Sequence, residues 1–183
     1  CIGMSLQRLS ANIDKALAAI DGPELERRAA IAGADLISLI TSRVIRKGET
    51  SDGGTFTAYS TTPVPAWFYL GKSRTGSAES RVKEAAKKRE EISYKQFREY
   101  NNLKADKKNF EFTGTMWRGF GVTKIVKQGD RLRIVLNGRN DDSREKIEWL
   151  SEQEKQSITE PSQAELLMVK RNLETWLISI LNG

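Results

Sequence analysis

The chain has 183 residues, 38% of them hydrophobic and 30% charged, with a net charge of +6, the composition of an ordinary globular protein long enough to bury its own core. It contains no histidine and one cysteine, which excludes Ser-His-Asp and Cys-His nucleophile systems, imidazole metal ligands, cysteine-built zinc sites and intrachain disulfides. Acid–base chemistry would rest on carboxylates or lysines, and these sit in mixed charge runs that read first as solvated helix faces.

The chain opens "CIGM". Bacterial lipoproteins begin with a lipidated cysteine, but an amphipathic pattern starts directly at Met4, so Met4 is read as the natural start with three residues upstream of it. No arginine-flanked apolar start resembles a secretory signal. No apolar run nears the roughly 18 residues of a membrane span, "WLISIL" being among the longest, so no membrane partner is expected. The lone cysteine fits a reducing compartment.

Leu6, Leu9, Ile13, Ala16, Leu17 and Ile20 recur at helical spacing, and "DGP" at 21–23 interrupts them. Pro23 suits the first turn of a second helix, whose stripe of Leu25, Ala29, Ala32, Leu36, Leu39 and Ile40 runs on to Gly48. Residues 4–47 are thus an N-terminal helical layer.

Residues 48–76 are rich in Gly, Ser, Thr and Pro and read as a long loop. Within it, Ala66 and Gly71-Lys72-Ser73 match the loose spacing of a phosphate-binding loop. A phosphate cradle needs a buried strand before it and a small flexible backbone around the anion. Here "PVPAWFYL" supplies two prolines and four bulky side chains, so Trp67, Phe68, Tyr69 and Leu70 read as an adhesive patch.

Residues 77–103 read as a basic helix in one piece or two, since "SYKQ" at 93–96 has the form of a capping box. Between residues 72 and 108 there are 12 basic residues against 6 acidic; between 141 and 183 there are 5 against 9. Such segregation suits a DNA-facing surface, complementary faces of a self-assembling protomer, or a helix laced by Glu–Lys pairs. No DNA-reading module is visible, which argues against sequence-specific recognition.

Phe110 and Phe112 are expected to start a short strand. Residues 122–137 read as a hairpin turning at Gly129-Asp130, with Leu132, Ile134 and Leu136 facing the core and Lys124, Lys127, Arg131 and Arg133 facing solvent. Thr113-Gly114 allows a tight turn before Met116 and Trp117. Over 151–181, Ser151 to Glu154 reads as a capping box, Pro161 as a break, and Leu166, Val169, Leu173, Trp176, Leu177 and Ile180 as a final amphipathic stripe. The expected fold is α+β, a single domain over 1–183 in which N-terminal amphipathic helices and a C-terminal helix pack on a small antiparallel sheet beside a long loop.

"DGGTFTAYS" (52–60), "SYKQFREYNN" (93–102), "FEFTGTMWRGFGV" (110–122) and "IEWLSEQEKQSI" (147–158), in that order, resemble the tail-completion, or virion morphogenesis, proteins of tailed bacteriophages. The likeness runs from about Met4 to residue 158, with "FTGTM" its sharpest part; "PVPAWFYL" departs from a basic stretch common in that family. The resemblance implies a structural, non-enzymatic virion protein without catalytic residues, cofactor or metal. It would be a protomer of a head-to-tail connector or tail-completion ring, assembled in the bacterial host cytoplasm and resident in the virion neck or tail. Its partners would be further copies of itself, portal or adaptor proteins and tail proteins, with DNA passing through. Phe56, Tyr59, Trp67, Phe68, Tyr69, Met116 and Trp117 are the candidate subunit interface. Lys83, Lys87, Lys88, Arg89 and Arg98 are the candidate DNA-facing or charged interface, and an alternative reading makes them the site of a nonspecific nucleic-acid-binding protein.

Overall fold

A computed structural model describes residues 22–128 and 131–182, with Asp14 and Ala18 placed in helix ahead of them. The first amphipathic stripe and the Gly129-Asp130 turn lie outside the described residues.

The fold is α+β, and it holds two small antiparallel two-stranded sheets where one was expected. Helix α1 (Pro23–Ser42) begins with proline in its first turn, where the missing N–H costs nothing, and Glu24 and Glu26 favour the positive helix end. The helix widens over Arg43–Lys47, where the Gly48 N–H reaches back to the carbonyl oxygens of Arg43 and Val44, and Gly48 closes it in the left-handed region.

The stretch 48–76 is not a plain loop. Strand β1 (Pro63–Pro65) pairs antiparallel with β2 (Glu91–Ser93), in the register Val64 opposite Ile92, and a tight helical turn follows over Ala66–Tyr69. Two prolines are tolerated because the ribbon has only two strands, so each keeps a free edge. Helix α2 (Gly76–Lys87) is capped by Thr75. Helix α3 (Tyr94–Tyr100) starts on the Ser93–Gln96 capping box, with both reciprocal hydrogen bonds made. Phe110 and Phe112 lie in no strand; Phe110 instead takes a left-handed backbone conformation, φ 52°, which turns the chain. Gly114, φ 74°, then opens the short helix α4 (Thr115–Gly119), and its positive φ is what makes glycine the fitting residue there.

Strands β3 (Phe120–Gln128) and β4 (Arg131–Gly138) form the expected hairpin, with Ile125 opposite Ile134 and a bulge between Val122 and Lys124. Helix α5 spans Asp141–Glu154, starting ten residues before the anticipated capping box. Asn140 caps it by accepting from the Ser143 N–H, while Ser151 sits in the last turn and donates to the Ile147 carbonyl. The capping box of helix α6 (Gln163–Asn182) is instead Ser162 with Glu165: the Ser162 N–H donates to the Glu165 carboxylate, and the Glu165 N–H to Ser162 Oγ. Within the α6 stripe Val169 is buried and Leu173, Trp176, Leu177 and Ile180 are half-buried, whereas Leu166 is exposed.

Helices α1 and α6 run antiparallel. Arg43 at the end of α1 grips the start of α6, donating to Glu165 at 2.9 Å and to the carbonyls of Glu49 and Glu160, and Arg28 lies over the Trp176 ring nearer the other end. Two hydrophobic clusters result. One gathers Ile40, Val44, Phe56, Met116, Trp117, Phe120, Ile147 and Ile158; the other gathers Ala66, Tyr69, Val82, Ala85, Ile92 and Phe97.

Contact between α1 and the hairpin passes through Gly33, where a β-carbon would stand 2.5 Å from Val122 Cγ2 and 3.2 Å from Ile134 Cγ2. Gly33→Val is therefore expected to destabilise the chain by about 1–3 kcal/mol through overpacking, read from urea midpoints. An unchanged midpoint would mean that α1 is not seated on the hairpin.

Candidate functional site: a groove and an aromatic tip

The site begins with an arginine inside the protein. Arg98 is 1% exposed, although it stands in a run of charged residues. Its Nε donates to the Lys104 carbonyl at 2.8 Å, its Nη2 to Asn109 Oδ1 at 3.0 Å, and its guanidinium lies 4.1 Å from the centre of the Tyr59 ring. Asn109 Oδ1 also accepts from the Tyr59 hydroxyl and the Glu111 N–H, and the Asn109 N–H donates back to the Tyr59 oxygen. Among the described residues no carboxylate reaches Arg98. Its charge is compensated by two oxygen acceptors and a π face, a use for which the flat, weakly hydrated guanidinium is suited. Burial pushes the Tyr59 hydroxyl above its ordinary range. A second polar knot lies alongside: Glu154, at the end of α5, accepts from Lys108 at 2.6 Å and from the Thr57 hydroxyl and N–H.

These knots floor an open groove of about 530 Å³. Its lining includes Tyr59, Tyr94, Phe112, Met116, Trp149 and Leu150, an apolar trough with Trp149 58% exposed on its rim. Tyr59-Ser60, Tyr94, Phe110, Phe112 to Met116, Trp149-Leu150 and Gln153-Glu154 all border it. The stretches 52–60, 93–102, 110–122 and 147–158 therefore each contribute residues to it.

From the groove a column of rings leads across the molecule. Phe112 stacks on Phe97 (5.8 Å between ring centres), Phe97 on Tyr69 (4.4 Å), and Tyr69 meets Phe68 edge-on (5.3 Å). The column ends at an exposed tip where Trp67 is 65% and Phe68 50% accessible, with the Lys72 ammonium 3.6 Å from the centre of the Phe68 ring. The base of the tip is fixed by the Gly71 N–H, which donates to the Glu79 carboxylate and holds it below the usual carboxylate range. That contact also answers the phosphate-loop match: an anion at Gly71 would meet the Glu79 carboxylate, and Lys72 is turned onto an aromatic face.

The expected site residues thus divide. Trp67 and Phe68 are exposed at the tip, whereas Phe56, Tyr59, Tyr69, Met116 and Trp117 are all buried, so they build the core and the groove floor and offer no outer surface. Lys83, Lys87, Lys88 and Arg89 are exposed on and just after α2, with Lys88 paired to Glu84 at 2.8 Å and Lys83 near Glu79 at 3.9 Å. Arg98 does not join them, because α3 turns it inward. Trp149 was missed; "IEWLSEQE" places it among charges on a helix whose start had been read too late.

Comparison of the chain with known protein families, with curated proteins and with solved structures gives no match. Among the described residues, no helix is long and apolar enough to cross a membrane.

If Arg98 is structural, Arg98→Leu should cost about 2–4 kcal/mol and Tyr59→Phe about 1–2 kcal/mol, with the double substitution costing less than the sum because both act on Asn109. Urea titration of the three variants measures this. Near-neutral values would return Arg98 to the surface.

Proposed function

We propose that this chain is a structural virion protein, a protomer of a head-to-tail connector or tail-completion ring that joins the portal or neck to the tail of a tailed bacteriophage and lets DNA pass. The observation that carries the reading is the convergence of four separated stretches resembling that protein family on one groove. Short likenesses arising by chance have no reason to meet in space.

The groove and the tip also suit the mechanics of a ring. A ring is closed by heterologous contacts, in which one patch meets a different patch on the next copy. Trp67 and Phe68 are a projecting apolar pair, and neither lines the groove. The occupant we assign to the groove is the Trp67–Phe68 tip of a second copy. The charged residues that line the groove are Arg98, which is buried, Lys108, which pairs with Glu154, and Lys146, which pairs with Asp142, so the pairing rests on the apolar surfaces and not on charge. In such a contact the aromatic pair supplies most of the affinity. Met116 on the groove floor is a side chain that adapts to an incoming surface.

Sedimentation velocity of the full chain over rising concentration tests this. The expected outcome is a single closed oligomer. Trp67→Ser with Phe68→Ser, and separately Trp149→Ser, should weaken association at least ~30-fold, as loss of an interface anchor worth about 2 kcal/mol predicts. A chain that stays monomeric throughout, or whose assembly ignores these substitutions, would overturn the reading.

A further inference from the structure

We infer that the outer face of the β3–β4 hairpin is a nucleic-acid surface that neutralises backbone phosphates, and that it, more than the basic helix α2, is where this protein meets DNA. The inference stands apart from the assembly reading, because a monomer would display the same face.

Alternation along β4 puts Leu132, Ile134 and Leu136 on one side of the hairpin and Arg131, Arg133 and Val135 on the other. Val122, Ile134 and Leu136 meet α1 at Gly33, so the first side faces inward. Across the ladder Gln128 stands opposite Arg131, Val126 opposite Arg133 and Lys124 opposite Val135, which adds Lys124 to the outer side. Arg139 joins this side by lying over Gly121, in space that a β-carbon would fill. Lys124, Arg131, Arg133 and Arg139 are all exposed, and among the described residues none of the four has an acidic partner.

The described strands β3 and β4 contain no Asp or Glu, and beyond Phe120 they contain no aromatic residue. Protein-facing surfaces favour aromatic anchors and are poor in lysine, whereas phosphate-facing surfaces collect cations and short polar side chains. A two-stranded ribbon also has dimensions that a DNA major groove admits. Helix α2 is built differently. Glu79 and Glu84 are interleaved with its cations and pair with Lys83 and Lys88, and Glu90 and Glu91 follow at once, so much of its charge is answered locally. Its cations outside those pairs, Arg81, Lys87 and Arg89, are fewer than the four on the hairpin, and Arg81 lies against the Tyr100 ring.

The test is fluorescence anisotropy of a labelled random-sequence DNA duplex with the full chain, over a salt series. Two triple variants carry the same change in net charge: Lys124→Glu/Arg131→Glu/Arg133→Glu on the hairpin, and Lys83→Glu/Lys87→Glu/Lys88→Glu on α2. The hairpin variant is expected to lose affinity more than tenfold and to lower the salt slope by roughly 2–3, since each lost phosphate contact removes about 0.9. The α2 variant should change affinity less than about threefold. Glutamine replacements at 124, 131 and 133, checked by near-UV circular dichroism, give the same ranking without added repulsion. Three results would overturn the inference: no DNA binding at low salt, equal losses in both triple variants, or binding of poly-glutamate but not of DNA.

Discussion

The burial of the Arg98 guanidinium is the constraint on which the other features depend. A cation held out of water must be surrounded by acceptors, and the acceptors used here come from distant parts of the chain. The Tyr59 ring, the Lys104 carbonyl and the Asn109 amide are drawn to one point. That point lies between the two hydrophobic clusters, so the stretch after α1, helix α3 and the turn before α4 are fastened together in fixed register. Arg98 and Tyr59 both line the groove, so the network forms part of its floor beside the Glu154–Lys108 pair. The Arg43–Glu165 pair does comparable work elsewhere, clasping α1 to α6. Both arginines are spent on architecture, which is why counting cations along the sequence overstates the charge available to a partner.

Once Arg98 sets the floor, the position of the exposed aromatics follows. Phe97, the residue before it, presents its ring on the neighbouring face of α3 and becomes the middle of a stack from Phe112 to Tyr69. The inner members of the stack, Tyr69 and Phe97, are buried, and it carries Trp67 and Phe68 outward on packed rings. Exposed aromatics on a fixed support cost little ordering entropy when they dock. Groove and tip are two ends of one column of rings. In the ring proposed above, such a layout would give one protomer two different faces for its two neighbours.

The features that were readable from sequence are those governed by neighbours a few residues apart. Pro23 and Gly48 bracket α1, Ser93 and Gln96 cap α3, and the alternation of Leu132, Ile134 and Leu136 gives the hairpin. Two errors also had local remedies: Asn140 followed by two aspartates, and Ser162 followed three residues on by Glu165, both mark helix starts. The rest was not legible, for a physical reason. Strand β1 carries proline at both ends and gains its identity only from pairing with residues 91–93. Tyr59 looks like an exposed loop aromatic until Asn109, fifty positions away, accepts its hydroxyl. Of the site, the tip residues Trp67 and Phe68 were visible as apolar side chains in a polar stretch. The groove was visible only as four disconnected likenesses, and its geometry exists only after the chain has folded.

The central claim is that the tip of one copy seats in the groove of the next. It is tested most directly by placing one thiol at each end, Lys72→Cys and Gln153→Cys, in a Cys1→Ser background and treating the chain with a short bismaleimide. The account predicts a ladder of covalent oligomers that stops at one closed size, and no such ladder from either single-cysteine variant, because each contact needs one residue of each kind. Efficient dimer formation by a single-cysteine variant, or failure of the double variant to link beyond random collision, would contradict it.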